Sequence, residues 1–380
     1  MQSSIGVDPN PFVSIIILNF NGKAWFAECL DSLLKLDYPR ETFEVIVGDN
    51  ASTDDSVEFI RQNYPWVKLI VFDDNYGFCR SNNLCAAQAK GEYLAFLNND
   101  TFVTPGWLRA LVRGIQSEPD IVSCASRILY PHLGEGKFLN AAGGIIAMSG
   151  AGLYEGWMEE DGPAYDIPKY TGFGCGAGVM FRKDFFIKTG GFEEYYFYGL
   201  EEMDIGLRSW LYGYKVFYAP DALMYHYGGK TGYRQMNRVT PAMEYLMMRN
   251  TLYFILKNFQ MLTLPKAFFL CFARGIAKSI YALCQGNVSI LGAILRGTFQ
   301  GIRDFGQALL SRRNTQRHRK LSDRELIELG VMASFLKTIQ INRRMARRMK
   351  HILKGNWYDT KDSVDVVTNQ QGRLVFRKKT

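Results

Sequence analysis

The sequence is short of the residues that staple or metallate small domains. Its 380 residues contain seven cysteines (Cys29, Cys79, Cys85, Cys124, Cys175, Cys271, Cys284), an odd number with no Cys-x-x-Cys pair. That pattern argues against a disulfide framework or a zinc cluster and favours a reducing compartment. Histidine is equally sparse, with only His132, His226, His318 and His351. Met1 to Pro11 has no basic start and no apolar run, so no signal peptide is expected. No Gly-x-Gly-x-x-Gly follows the first apolar run and no Walker lysine loop occurs, which disfavours a dinucleotide fold and a P-loop ATPase. Hydrophobic residues, by contrast, make up 47% of the chain, enough for a large core. The length predicts roughly two domains.

The first hundred residues repeat one pattern. Val13 to Leu18 is β-branched and apolar, and it ends at Asn19-Phe-Asn-Gly22. Phe43 to Gly48 ends at Asp49-Asn-Ala-Ser-Thr-Asp54, and Val67 to Phe72 ends at Asp73-Asp-Asn-Tyr-Gly-Phe78. Tyr93 to Leu97 ends at Asn98-Asn99-Asp100. Helical patterns over 24–36, 56–63 and about 80–89 separate these runs, which predicts an α/β fold with a parallel sheet and right-handed crossovers. Ligands bind beyond the carboxyl ends of such strands, so four polar exits in register suggest one shared site. Asp100 flanked by carboxamides suits a hard divalent cation that also touches a phosphorylated ligand. Taken alone, the same trio reads equally well as a turn or a helix cap.

Beyond Asp100, residues 131–170 are Gly-rich and aromatic, consistent with a long excursion over a cleft. Four carboxylates fall between Glu194 and Asp204, ahead of an amphipathic helix at 205–211. The helix macrodipole accounts for acids there, and so does a general base near a cleft. Lys215 to Tyr218 reads as a strand closed by Pro220, followed by Leu223 to His226. The C-terminal third is helical and apolar over 241–258, 262–284 and 290–305. Lys266, Arg274 and Lys278 interrupt the middle segment four or eight apart, near one helix face. That reads as a membrane-surface helix lying in the plane rather than a span. Basic clusters (Arg312, Arg313, Arg317, Arg319, Lys320; Arg343, Arg344, Arg347, Arg348, Lys350) carry much of the net charge of +8 and would attract anionic headgroups. A helical subdomain packing on the catalytic part, or pairing as a homo-oligomer, is the alternative.

Seven blocks in order resemble the family 2 inverting nucleotide-sugar glycosyltransferases. They are Val13-Ser-Ile-Ile-Ile-Leu-Asn-Phe-Asn21, Val47-Gly-Asp-Asn-Ala-Ser-Thr-Asp54, Asn75-Tyr-Gly-Phe78 with Asn82 and Asn83, Leu97-Asn-Asn-Asp100, Gly190-Gly-Phe-Glu-Glu194, Glu201-Glu-Met-Asp204 with Arg208, and Tyr225-His-Tyr-Gly-Gly229. The likeness covers roughly Phe12 to Gly229 and looks closest to bacterial rhamnosyltransferases and galactofuranosyltransferases. It implies a GT-A (Rossmann-like), mostly parallel central sheet flanked by helices; beyond Gly229 the likeness fades, and the apolar, basic pattern there predicts a C-terminal α-helical membrane-associating region.

The resemblance also implies a site. Asn19 and Asn21 would line the nucleotide pocket, Asp49 would bond the pyrimidine, and Asn50 and Ser52 would complete that wall. Asn75, Gly77 and Asn83 would lie along the nucleotide, with Asn98 and Asn99 beside the diphosphate. Asp100 and His226 would hold Mg2+ or Mn2+. Glu202 is the expected base, with Glu201 and Asp204 as competitors. Asn98 and Glu202 depart from the family's usual Asp at those two positions, which leaves one carboxylate for the metal. The donor would be a dTDP-rhamnose-like or UDP-sugar, and the acceptor a glycan hydroxyl, lipid-linked, in cell-surface polysaccharide assembly. The enzyme would sit peripherally on the cytoplasmic face of the membrane and bind no nucleic acid. The expected organisation is a catalytic domain over 1–235, a helical region over 236–355 and a polar tail over 356–380. The rivals are a metal-dependent nucleotidyltransferase, for which only Lys23 stands in the first loop, and a basic nucleic-acid-binding protein.

Overall fold

A computed structural model describes residues 8–133, 136–228, 240–352, 364–368 and 374–378, with side chains through Arg344. The expected domain boundaries at 235 and 355, Gly229, and the side chains of Arg347, Arg348 and Lys350 lie outside the described residues. In chain order the elements begin β1 (Val13–Asn19), α1 (Lys23–Leu33), β2 (Phe43–Asp49), α2 (Ser56–Asn63), β3 (Lys68–Val71), α3 (Gly77–Ala87), β4 (Tyr93–Asn98), β5 (Thr101–Val103) and α4 (Trp107–Gln116). Then come β6 (Ile121–Tyr130), β7 (Phe138–Ala142), β8 (Gly144–Ala147), β9 (Gly152–Tyr154), β10 (Lys169–Tyr170), β11 (Gly178–Arg182), α5 (Lys183–Lys188), α6 (Glu201–Leu211) and β12 (Lys215–His226). The rest is α7 (Pro241–Asn258), α8 (Leu264–Cys284), α9 (Val288–Arg303), α10 (Phe305–Arg317), α11 (Asp323–Glu328), β13 (Met332–Ala333), α12 (Phe335–Ile352), β14 (Val364–Thr368) and β15 (Leu374–Lys378).

These elements form two compact units that interleave in sequence. One holds the residues up to Gly143, Tyr154–Phe192 and Tyr214–Tyr227; the other holds Gly144–Leu153, Glu193–Gly213 and the residues from Gly228 on.

The first unit is built on a ten-stranded sheet with the main order β10-β12-β6-β11-β4-β1-β2-β3. The half β4-β1-β2-β3 is parallel throughout, and β1, β2 and β4, buried on both faces, are nearly continuous apolar runs, whereas β3 at the edge is partly exposed. In the other half β11 runs antiparallel to both β4 and β6, while β12 is parallel to β6. Residues 215–226 form one strand rather than two, with a register shift between Ala219 and Leu223 that absorbs Pro220. The Gly-rich stretch after residue 130 is likewise more ordered than an open excursion, because β7 pairs with β6 and β10 with β12. The core lies between this sheet and α1 and α4, around Phe26, Trp107 and Leu111.

The second unit is organised around α7, which is buried along almost its whole length, its polar residues Glu244, Arg249, Asn250, Lys257 and Asn258 included. Thr240 caps its first turn by accepting from Met243 N, and Pro241 occupies the first helical position. Gly297 of α9 lies where a Cβ would come within 2.5 Å of Tyr245 O, so only glycine lets α9 approach α7 this closely. Lys278 of α8 pairs with Glu244 of α7, and Arg274 donates to Thr251 Oγ1. This corrects the expected outward basic face of α8: those two cations turn toward α7. Among the described residues α8 is the one helix long and apolar enough to cross a membrane by length and composition, with a mean hydropathy of 1.5. Within 356–380, expected to be a polar tail, β14 and β15 pair antiparallel.

A buried ionic cluster joins α6 to α7. Asp204 Oδ1 accepts from Tyr196 OH (2.9 Å) and Asn258 Nδ2 (2.8 Å). Its Oδ2 accepts from Arg208 Nε (2.8 Å) and Lys257 Nζ (2.9 Å). Four donors thus occupy the four lone-pair sites of one carboxylate. Burial alone would raise this acid, but Lys257, Arg208 and the Asn258 bond outweigh it and hold the pKa down to about 2. Lys257 also pairs with Glu193 at 2.9 Å. Asp204→Asn would leave two buried cations short of charge, at an expected cost of about 3–5 kcal/mol. Because the native pKa lies below the ordinary 3.8, this stabilisation is complete above that value and is lost as pH falls through about 2. Melting curves across acidic pH should show the wild type losing stability over that window more steeply than the variant. Parallel curves would contradict the assignment.

Candidate active site

In the first unit the exits of β1, β2 and β4 converge on the Asn19 carboxamide. Its Nδ2 donates to Asp49 Oδ2 (2.7 Å) and Ser52 Oγ (2.9 Å). Its Oδ1 accepts from Gly22 N (3.1 Å) and Asn99 Nδ2 (2.8 Å). Asn19 is fully buried, and both its donors and both its acceptor positions are used. It therefore fastens the pocket wall rather than facing a ligand. Gly22 is required beside it, since a Cβ there would lie 2.0 Å from Asn99 Nδ2.

Asp49 is buried and also accepts from Ser52 N at 2.8 Å, so two further lone-pair positions of its carboxylate are not taken by these bonds. Asn21, in the left-handed region, accepts from Thr53 N at 2.7 Å and latches the first loop to the second. Lys23 pairs with Asp55 at 3.7 Å across the same loops, a use unlike that of a phosphate-loop lysine. Asn50 donates to Gly77 O at 3.3 Å and accepts from Ser81 Oγ. Asn75 Oδ1 accepts from Gly77 N at 3.0 Å at the start of α3. Asn83 clamps the Phe192 backbone with two bonds of 2.8 and 2.9 Å. Asn98 is half-buried at the last position of β4.

Asp100 and His226 meet because β5 pairs with the end of β12, His226 opposite Thr101, and Tyr227 N donates to Asp100 O at 3.0 Å. Asp100 Oδ1 and His226 Nε2 lie 3.2 Å apart, both buried, yet Nε2 makes no hydrogen bond. His226 Nδ1 sits 3.1 Å from Asn140 Oδ1; in the neutral tautomer that donates this bond, Nε2 turns its lone pair toward the carboxylate. In that tautomer the pair would face a cation as two acceptors. A separation of about 3 Å is also what adjacent ligands of one small divalent ion adopt. No group of three or more acidic, His or Cys side chains suited to a metal occurs among the described residues. Two protein ligands with substrate oxygens and water completing the shell is the usual arrangement for Mg2+. Asn140, which fixes the imidazole, escaped the sequence reading; its only signal is a single polar residue in the buried strand β7. Trp25 and His132, which flank Tyr227 with ring centroids 4.9 and 6.3 Å away, were not singled out either.

In the second unit Glu201 and Glu202 open α6, behind Leu200 in the left-handed region. Asn250 of α7 holds the loop before them by donating to Tyr196 O, Tyr198 O and Gly199 O at 3.0–3.1 Å. Glu201 is buried, and burial together with the charge of Glu202 pushes its pKa well above the ordinary carboxylate range. Glu202 is half-buried, while Asp204 is committed to the ionic cluster.

A Rossmann-like sheet whose exits carry this constellation defines a GT-A fold. The fold of GalNAc-T7, solved with UDP, GalNAc and Mn2+, matches it with a TM-score of 0.60 at 16% identity, over 84% of this chain and 57% of that one. Staphylococcus aureus TarS 1-349, solved in complex with UDP, matches with a TM-score of 0.50 at 16% identity, over 97% of each chain. Residues 14–190, just under half of the chain, match the model of glycosyl transferase family 2. The O-antigen biosynthesis protein RfbC of Myxococcus xanthus is 29% identical over 227 residues, which is 57% of this chain and 17% of that protein. The chain spans well under half the length of the curated relatives it matches.

Asn19→Ala would remove the Asn19 hydrogen bond from each of two buried groups, Asp49 Oδ2 and Asn99 Nδ2. With one to three kcal/mol for each orphaned group, the expected loss of unfolding free energy is about 2–4 kcal/mol. Urea denaturation measures it, and an unchanged midpoint would mean that the three exits are held by something else.

Proposed function

We propose that the chain is an inverting glycosyltransferase that moves a sugar from a nucleotide diphosphate donor, a UDP-sugar or a dTDP-rhamnose-like sugar, to a hydroxyl of a glycan acceptor. The acceptor reading is a lipid-linked glycan in cell-surface polysaccharide assembly, in keeping with the name of the RfbC relative. The observation that carries the proposal is the Asp100–His226 pair, two buried acceptors 3.2 Å apart at the end of a parallel sheet.

Asp49 receives the imide N–H shared by uracil and thymine, using the lone pairs that Asn19 and Ser52 leave over. Asn21, Asn50, Asn75, Gly77 and Asn83 shape that wall through their bonds to backbone. Asp100 and His226 hold Mg2+ or Mn2+, with Asn140 setting the imidazole and Asn98 and Asn99 flanking the ion. When bound, the ion offsets the negative charge that grows on the leaving diphosphate. Glu202 takes the proton of the acceptor hydroxyl as that oxygen attacks the anomeric carbon. The bond from that carbon to the diphosphate breaks on the opposite face, which inverts the centre. Burial and the charge of Glu202 favour the protonated form of Glu201, which lessens the negative charge beside the base.

General-base removal costs about 10²–10⁴-fold in rate. Glu202→Gln should therefore lower kcat by that factor in a donor-to-acceptor assay and leave the Kd for the nucleotide diphosphate unchanged. Near-normal turnover would move the base elsewhere; loss of nucleotide binding would show that Glu202 acts in the donor pocket.

A further inference from the structure

Helices α8 and α9 present apolar side chains to solvent. On α8, Phe269, Phe272, Ile276 and Ile280 are all exposed, Phe269 to 64%, and their spacing of three and four puts them on one face. On α9, Leu295 and Phe299 lie four apart, and Phe299 is 68% exposed. A run of this kind on neighbouring helices exceeds the scattered apolar exposure of an ordinary surface. The buried side of α8 is accounted for by Ala267, Cys271 and Gly275 and by the bonds of Arg274 and Lys278 to α7. Two of the three cations that break α8 in sequence thus turn away from its outer stripe, which runs uninterrupted from Phe269 to Ile280.

The charge beside the stripe is of one sign. Between Leu262 and Arg317 the sole acid is Asp304, and it is held by Gln300 and Tyr195. Arg296 and Arg303 are exposed and stand three and four residues from Phe299, on the same side of α9. Lys266 and Arg313 are also exposed.

We propose that the exposed face of α8 and α9 docks on an anionic lipid bilayer, with both helices lying in the headgroup plane. Charge selects this occupant. A second copy meeting the same face would set Arg296 and Arg303 against their own like, whereas anionic headgroups neutralise both. Orientation follows from α8 itself, because crossing the bilayer would strip Lys278 and Arg274 from Glu244 and Thr251. The docking bears on where a lipid-linked acceptor is met, yet it does not rest on the transferase reading.

Flotation of the full chain with phosphatidylcholine vesicles, and with mixed phosphatidylcholine–phosphatidylglycerol vesicles, tests this. Wild-type protein should float with the mixed vesicles, less so with neutral ones, and should be released by alkaline carbonate. Phe269→Glu combined with Phe299→Glu should lower partitioning by about tenfold or more. Arg296→Glu combined with Arg303→Glu should abolish the preference for anionic lipid. Melting temperature and nucleotide binding, measured on each variant, separate failure of this surface from failure to fold or failure of the donor site. Three results would overturn the proposal: folded wild type that binds no vesicle, retention after alkaline extraction, or self-association lost in the same variants without vesicle binding.

Discussion

One carboxamide decides where the polar groups of the sheet edge can stand. Asn19 uses both donors and both acceptor positions to tie Asp49, Ser52, Gly22 and Asn99 together in a buried setting. A fully satisfied buried amide of this kind has one orientation, since any rotation orphans a partner in a low-dielectric surrounding. The exits of β1, β2 and β4 are thereby locked to one another, and the turn carrying Asn98, Asn99 and Asp100 inherits the placement. Pairing of β5 with the end of β12 then brings His226 to Asp100. The acidic and imidazole groups face each other because backbone register puts them there.

The second unit solves a similar problem with charge. Asp204 gathers Arg208, Lys257, Asn258 and Tyr196, and Asn250 ties down the loop ahead of α6. Lys257, Asn258 and Asn250 lie on α7, so the helices after residue 240 scaffold the start of α6 and do more than offer a surface to the outside. Breaking a buried cluster costs more than the cluster itself contributes, because desolvated charges are left behind. That asymmetry makes Asp204 a positioning residue for Glu201 and Glu202.

Much of the parallel half was legible because its strands are β-branched runs that stop at Asn or Asp, a pattern that fixes both element and exit. The insertion of β11 antiparallel between β4 and β6 was not, since an apolar run of five residues reads the same in either direction. Helical spacing showed that Lys266, Arg274 and Lys278 share a side of α8, but which side meets solvent depends on Glu244, far away in sequence. Asp204 looked like any acid at a helix start until Lys257 and Asn258, some fifty residues on, gave it another task. Asn140 carries no motif at all, and only its contact with His226 reveals it.

The central claim is that Asp100 and His226 join a divalent ion and a nucleotide diphosphate in one site. Calorimetric titration of UDP or dTDP, with and without Mn2+, tests it most directly when repeated on Asp100→Asn. The account predicts tight binding to the wild type only with Mn2+, and loss of that metal dependence in the variant. Equal affinity with and without the ion in the wild type, or an unaltered metal dependence in Asp100→Asn, would contradict it.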